Sequence, residues 1–308
     1  MIPVWLQMVT ALCAAAAAGT MGAALVPFLQ SRGLCDLEKQ KESGDSAEQE
    51  VRRPTMGGLL LCFGILFGLV LGVTLLREFG SLDRTSAAYR TQTVFLRTLL
   101  LHGSLLAAGG FAADYARVRG KMRFRVNALL PLGAVFLITA GLLLFQEGMT
   151  AAILLPAALT AVCWQVIQTA EKGTDGMSIT LGTVQLLMLT VVLLKEKEAM
   201  PALYTLAGAG ACMGCMVWGL HPAKCRLGST GSYLLGSMLP LLCASQGRWK
   251  LLALMMAVYV LNALPILKKG ERLTLLERME RAGMAAWKRI TVLTCFAVFC
   301  CVLAVVTG

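Results

Sequence analysis

Residues 55–76 read Thr55-Met-Gly-Gly-Leu-Leu-Leu-Cys-Phe-Gly-Ile-Leu-Phe-Gly-Leu-Val-Leu-Gly-Val-Thr-Leu-Leu76, without one charged side chain. At about 1.5 Å rise per residue, a helix of roughly 20 apolar residues crosses the hydrocarbon core of a bilayer, about 30 Å thick. Working outward from this stretch, further apolar runs lie at 3–29, 91–112, 127–145, 149–167, 178–194, 202–220, 232–246, 251–267 and 290–306. The run at 232–246 is short and carries Pro240, and only Gln146-Glu147-Gly148 separates the fourth run from the fifth. The composition agrees: of 308 residues 57% are hydrophobic and 15% charged, and the mean hydropathy is +0.72. An ordinary soluble domain is about half apolar and a quarter charged. A cytosolic globular enzyme, a disordered tail and a disulfide-stapled secreted module are thereby excluded. The expectation is an all-α polytopic membrane protein of about ten transmembrane helices, one integral membrane domain over 1–308. The first run has no positive segment before it and continues to Leu29, so it reads as a span and not as a cleavable signal peptide.

Charge orients these runs. Of the 28 Lys and Arg, 20 fall in the odd-numbered connections (30–54, 113–126, 168–177, 221–231 and 268–289) and 7 in the even-numbered ones. Cytoplasmic loops concentrate Lys and Arg, so the odd loops are expected to be cytoplasmic and both termini extracytoplasmic. The net charge of +11 then needs no nucleic acid. The longest connection, 30–54, mixes acids and bases and reads as a solvated loop. Nine of the eleven cysteines lie inside apolar runs, and the Cys212-x-x-Cys215 pair, with no charged neighbour, reads as packing. A transporter or channel would call for polar side chains at mid-span, and His102, Arg97 and Gln185 are too few for a pathway.

The polar motifs collect at the odd loops, as a cytoplasmic site requires. Gly57-Gly58 at a helix start suits either close helix packing or backbone approach by a ligand. Gly228-Ser229-Thr230-Gly231-Ser232 precedes a helix, where it serves either as an N-cap or as an anion cradle. Asp114 and Asp175 lie at membrane boundaries. Arg117, Arg119, Lys121, Arg123 and Arg125, together with Lys224 and Arg226 beside His221, would either hold their loops at the cytoplasmic face or neutralise phosphates of lipids or substrate.

In order and spacing these motifs resemble one family. Pro54-Thr55-Met56-Gly57-Gly58, Gly110-Phe111-Ala112-Ala113-Asp114-Tyr115-Ala116-Arg117-Val118, Thr174-Asp175-Gly176, His221-Pro222-Ala223-Lys224 and Leu227-Gly228-Ser229-Thr230-Gly231-Ser232 look like the phospho-N-acetylmuramoyl-pentapeptide transferases, within the polyprenyl-phosphate hexose-1-phosphate transferases. The resemblance covers residues 20 to 265. It implies transfer of phospho-N-acetylmuramoyl-pentapeptide from a UDP carrier to undecaprenyl phosphate, giving lipid I and uridine monophosphate for peptidoglycan synthesis. It implies a site on the cytoplasmic face of the bacterial cytoplasmic membrane, with membrane lipids around it, and a homodimer. Mg2+, held by one or two carboxylates plus substrate phosphates, would neutralise two phosphate-bearing reactants. By resemblance Asp114 and Asp175 are the catalytic and metal-binding acids, and Thr55, Gly57, Gly58, Arg117, His221, Lys224, Gly228, Thr230, Gly231 and Ser232 bind substrate.

Departures from the family fall on the acids. Ala113 stands where an Asp-Asp pair has its first member, Ser178 where a second aspartate follows Asp175, and Ser229 where the Gly-Asp-x-Gly-Ser motif carries its aspartate. Two upstream asparagines fall on Thr169 and Lys172. The family's histidine run in the ninth loop is replaced by Glu271-Arg272-Leu273-Thr274-Leu275-Leu276-Glu277-Arg278-Met279-Glu280-Arg281, whose Leu273, Leu276 and Met279 read as a surface amphipathic helix. Two functions therefore stand side by side. One is a transferase of impaired activity; the other is an inactive paralogue that binds polyprenyl phosphate or a nucleotide-sugar as a regulator or scaffold in cell-envelope synthesis.

Overall fold

The computed structural model describes residues 2–41, 48–80, 86–119, 154–170, 174–267 and 273–307. In chain order these form α1 (Val4–Ser31), β1 (Cys35–Lys41), β2 (Glu48–Pro54), α2 (Gly58–Phe79), α3 (Ala87–Val118), α4 (Leu154–Ala170), α5 (Met177–Lys195), α6 (Ala199–Gly219), α7 (Gly228–Ser245), α8 (Trp249–Leu267), α9 (Leu275–Arg281) and α10 (Ala286–Thr307). Among the described residues, six helices are long and apolar enough to cross a membrane: α1, α2, α3, α5, α6 and α10. The chain is a helical membrane protein. Helices α4, α7 and α8 occupy three further expected runs, whereas the run at 127–145 lies outside the described residues.

Small residues let the first bundle close. Helices α1, α2 and α6 pack against one another, and a Cβ at Gly210 or Gly214 of α6 would lie 2.2 Å from the carbonyl oxygen of Ala11 or Ala15 in α1. Lipid supplies no hydrophobic drive between helices, so such close approach is what van der Waals cohesion rests on. Polar side chains within the helices are satisfied locally. Thr10, Thr74, Thr183 and Thr190 donate to the carbonyls of Leu6, Val70, Ile179 and Leu186, as hydroxyls in hydrocarbon must. Mid-span Gln185 donates to the Met255 carbonyl and accepts from the Tyr259 hydroxyl, tying α5 to α8. Cys212 and Cys215 are buried free thiols in α6, as the packing reading expects. Phe63, Phe67 and Val70 of α2 and Phe299 and Val302 of α10 stay exposed on the outer face.

Helix α7 lies at the centre of the second half, packed by α2, α3 and α4. Its residues Ser229 to Cys243 are all buried, hydroxyl-bearing N-terminal turn included. That turn needs polar partners inside the protein, and the site is built from them.

Two connections hold regular structure. In the 30–54 connection β1 and β2 pair antiparallel, with Cys35 opposite Pro54 and Lys41 opposite Glu48. In this register Lys39 falls opposite Glu50. The 113–126 connection starts late, because α3 continues to Val118 and carries Asp114 and Arg117 in its last turns.

In the ninth connection Leu275–Arg281 is helical and opens with a capping box between Thr274 and Glu277. Leu276 is buried, and its N–H donates to Asn262 Oδ1 of α8. Thr274→Ala is expected to weaken α9 by about 1 kcal/mol, seen as faster hydrogen exchange across Leu275–Arg281 while the bundle exchanges unchanged.

Candidate functional site

Asp114 is completely buried. Its Oδ1 accepts the N–H of Ser229 at 3.0 Å, and its Oδ2 accepts the N–H and the hydroxyl of Thr230, both at 3.0 Å. Helix α7 has no cap of its own: Leu227 precedes it and contributes no side-chain hydrogen bond. The Asp114 carboxylate, delivered by α3, is the cap, and it meets the positive end of the helix dipole. Arg117 Nη1, one turn further along α3, lies 3.7 Å from Oδ1. The Arg117 Nη2 also donates to Ser229 Oγ at 3.1 Å, and Gln168 Nε2 of α4 donates to the same hydroxyl at 2.8 Å.

This docking needs glycine at two contacts. A Cβ at Gly110 of α3 would lie 2.7 Å from the Ser229 carbonyl oxygen, and one at Gly58 would lie 2.1 Å from the Gly231 nitrogen. The packing reading of Gly57-Gly58 therefore has its physical reason. Around them runs a backbone seam: Arg226 N–H donates to the Pro54 carbonyl, Gly57 N–H to that of Arg226, and Gly58 N–H to that of Leu227. Ser232 Oγ donates to the Gly228 carbonyl inside the first turn of α7.

Asp175 occupies the other side of the seam. Its Oδ2 accepts from Arg53 Nη1 at 2.8 Å and from the Ala223 N–H at 3.3 Å, and His221 Nδ1 lies 3.5 Å away. Both partners of the Arg53–Asp175 pair are about nine-tenths buried. The pair fastens the end of β2 to the turn before α5 and to the 221–226 segment. Asp175→Asn keeps the shape, removes the charge and breaks the ion pair with Arg53. The expected cost is about 1–3 kcal/mol, discounted from a fully buried pair for residual solvent, measured as a lower melting midpoint in detergent and faster exchange at Gly57 and Gly58.

All four motif segments thus converge: 53–58, 110–117, 174–178 and 221–232 touch through the contacts above. Thr55 is buried beneath Gly228, and Lys224, exposed, lies with its ammonium 5.5 Å over the Trp218 ring. Ser178 is buried and donates to the Ile167 carbonyl at 3.0 Å, joining α5 to α4. Arg119 stacks over Tyr115 instead of turning inward, and Lys121, Arg123 and Arg125 lie outside the described residues. Two participants escaped the sequence reading. Arg53 counted only as loop charge, and Gln168 sits at the last turn of an apolar helix with no motif around it.

Comparison with known proteins agrees with this assembly of motifs. Residues 96–247 match the model of Glycosyl transferase family 4. The phospho-N-acetylmuramoyl-pentapeptide-transferase of Heliobacterium modesticaldum is 26% identical over 282 residues, covering 85% of this chain and 82% of that protein. The enzymes of the same name from Oceanobacillus iheyensis and Corynebacterium jeikeium are 23% and 26% identical, covering 86% and 78% of this chain and 86% and 76% of theirs. These matches support a divergent member of the phospho-N-acetylmuramoyl-pentapeptide-transferase family.

This similarity supports a function of the phospho-sugar transferase kind, and by the same similarity suggests a divalent metal. The residues present do not fit one in this arrangement. Mg2+ takes a near-octahedral oxygen shell and retains several waters, while Asp114 is closed to solvent and both its oxygens already accept N–H or O–H donors. Asp175 has a guanidinium and a backbone N–H on the same oxygen. Of the three positions where the family's motifs carry further acids, Ser178 and Ser229 are neutral hydroxyls bound within the protein, and Ala113 has no donor atom in its side chain. Among the described residues no group of three His, Cys, Asp or Glu side chains could hold a metal ion.

Proposed function

We propose that this chain keeps the family's fold as a receptor for phosphorylated substrates, undecaprenyl phosphate and a UDP-linked sugar, and serves cell-envelope synthesis as a regulator or scaffold without forming lipid I. It does so as a single integral domain at the cytoplasmic face of the bacterial cytoplasmic membrane. The observation that carries this reading is the commitment of both remaining acids: Asp114 caps α7 and Asp175 clamps Arg53. Backbone-shaping positions persist at Thr55, Gly57, Gly58, Gly228, Gly231 and Ser232, and the cations Arg117 and Lys224 persist beside them, while the acids at Ala113, Ser178 and Ser229 do not. A pocket survives such losses more readily than a reaction, because removing one preorganised charge-stabilising group from an enzyme costs about 10²–10³ in rate.

A second reading, residual transfer through Asp114 and Asp175, is favoured by one observation, the convergence of all four motif segments with both acids in place. Binding tests the receptor directly. The purified full-length chain in detergent is expected to bind undecaprenyl phosphate saturably and to ignore undecaprenol, which lacks the phosphate. Equal retention of both lipids would overturn the receptor reading.

A further inference from the structure

The misfit between this site and a dication points to a different way of holding phosphate. Resting on the receptor reading, we infer that the site recognises a phosphate group without any divalent cation, with the Arg117 guanidinium supplying the positive charge that a metal would otherwise bring.

Charge is the first support. A magnesium site is a cluster of anionic oxygens left open toward the ligand, and here each acid is instead matched by a cation of the protein itself: Asp114 by Arg117 and Asp175 by Arg53. Lys224 and Arg226 then add positive charge at the same seam. The balance repels a dication and attracts an anion.

Convergence of donors is the second. Arg117 Nη2 and Gln168 Nε2, from two different helices, both donate to Ser229 Oγ. A neutral hydroxyl is a weak acceptor for a guanidinium, and it sits at the very position where the family's motif carries an aspartate. An aspartate there would claim Arg117 for itself. With serine there, a phosphate arriving at the exposed part of Arg117 offers the guanidinium an anionic acceptor in place of a neutral one, adding ion-pair attraction to the hydrogen bond. Arg117 is reachable, since 40% of its side chain is exposed although Asp114 beneath it is closed. Its planar fork suits two oxygens of one phosphate at once.

The shared chemistry is a terminal phosphate, whether it belongs to a polyprenyl phosphate or to a uridine nucleotide. The test is equilibrium binding to the purified full-length chain in detergent, with undecaprenyl phosphate in one arm and uridine diphosphate in the other, each with Mg2+ and then with a chelator. The expected result is a Kd in the chelator within about threefold of that with Mg2+, in whichever arm binds; Arg117→Gln is expected to weaken it about tenfold or more and Arg117→Lys less, as befits a lost charge-assisted fork. The comparison of magnesium with chelator uses the unaltered protein, so it stands even if a variant folds poorly. Binding that collapses in the chelator, or that survives Arg117→Gln in a protein of unchanged melting midpoint, overturns the inference while leaving the receptor reading in place. No saturable binding in either arm under either condition overturns both.

Discussion

Gly228→Ala is expected to leave little or no monodisperse protein after extraction in detergent. Gly228 has φ +68, and a Cβ there would lie 1.7 Å from the Thr55 carbonyl oxygen and 2.7 Å from Asp114 Oδ2. The left-handed backbone alone costs an alanine about 1–2 kcal/mol. The clash adds much more, because Thr55 belongs to the seam of three backbone hydrogen bonds joining 54–58 to 226–227. Each is worth about 0.5–1.5 kcal/mol net, and the cap on α7 shifts with them. The total approaches the whole stability of an ordinary domain, about 5–15 kcal/mol. Gly33→Ala separates the two causes: its φ is +67 with nothing within 4 Å, so it is expected to cost only the backbone strain, about 1–2 kcal/mol. Similar yields and melting curves for the two variants would show that the approach of Thr55 to Gly228 is not close in the protein.

Asp114→Ala is the second large effect. It leaves the N–H groups of Ser229 and Thr230 facing an apolar side chain in a region closed to water. Each orphaned donor costs about 1–3 kcal/mol, so a loss of several kcal/mol is expected, measured as a fall in the melting midpoint. Asp114→Asn should recover part of it, since one amide oxygen still accepts while the amide nitrogen opposes an N–H. Addition of Mg2+ is expected to leave the melting midpoint of the unaltered protein where it was. If Asp114 were instead an open metal ligand, Asp114→Asn would barely change the midpoint, and Mg2+ would raise it by binding the native state alone.

Much of the fold was legible in composition and periodicity. The run at 55–76 announced a membrane helix and α2 occupies it, and the Leu276 face of the ninth connection announced a short amphipathic helix. The hairpin of β1 and β2 was not legible, because charge-rich residues over 35–54 read the same in a loop as in a paired strand. The site was legible as a set of segments but not as a set of roles. By resemblance Asp114 reads as a catalytic acid; its distances to the Ser229 and Thr230 N–H groups make it a cap. Likewise Arg53 and Gln168 carry no local pattern, since what defines them is a partner more than sixty residues away.

On the receptor reading, adding acids at the positions the motifs lack is not expected to create transferase activity. Ser229→Asp would place a carboxylate against Arg117 Nη2 and Gln168 Nε2, forming an internal ion pair where an open metal ligand is wanted. Combined with Ala113→Asp it still leaves Ser178 tied to the Ile167 carbonyl.

The most direct measurement is release of uridine monophosphate by the purified full-length chain supplied with undecaprenyl phosphate, UDP-linked N-acetylmuramoyl-pentapeptide and Mg2+. A retained pocket without the reaction predicts no release above a protein-free blank, from the same preparation that binds the lipid phosphate saturably. Sustained release that Asp175→Asn abolishes would contradict it.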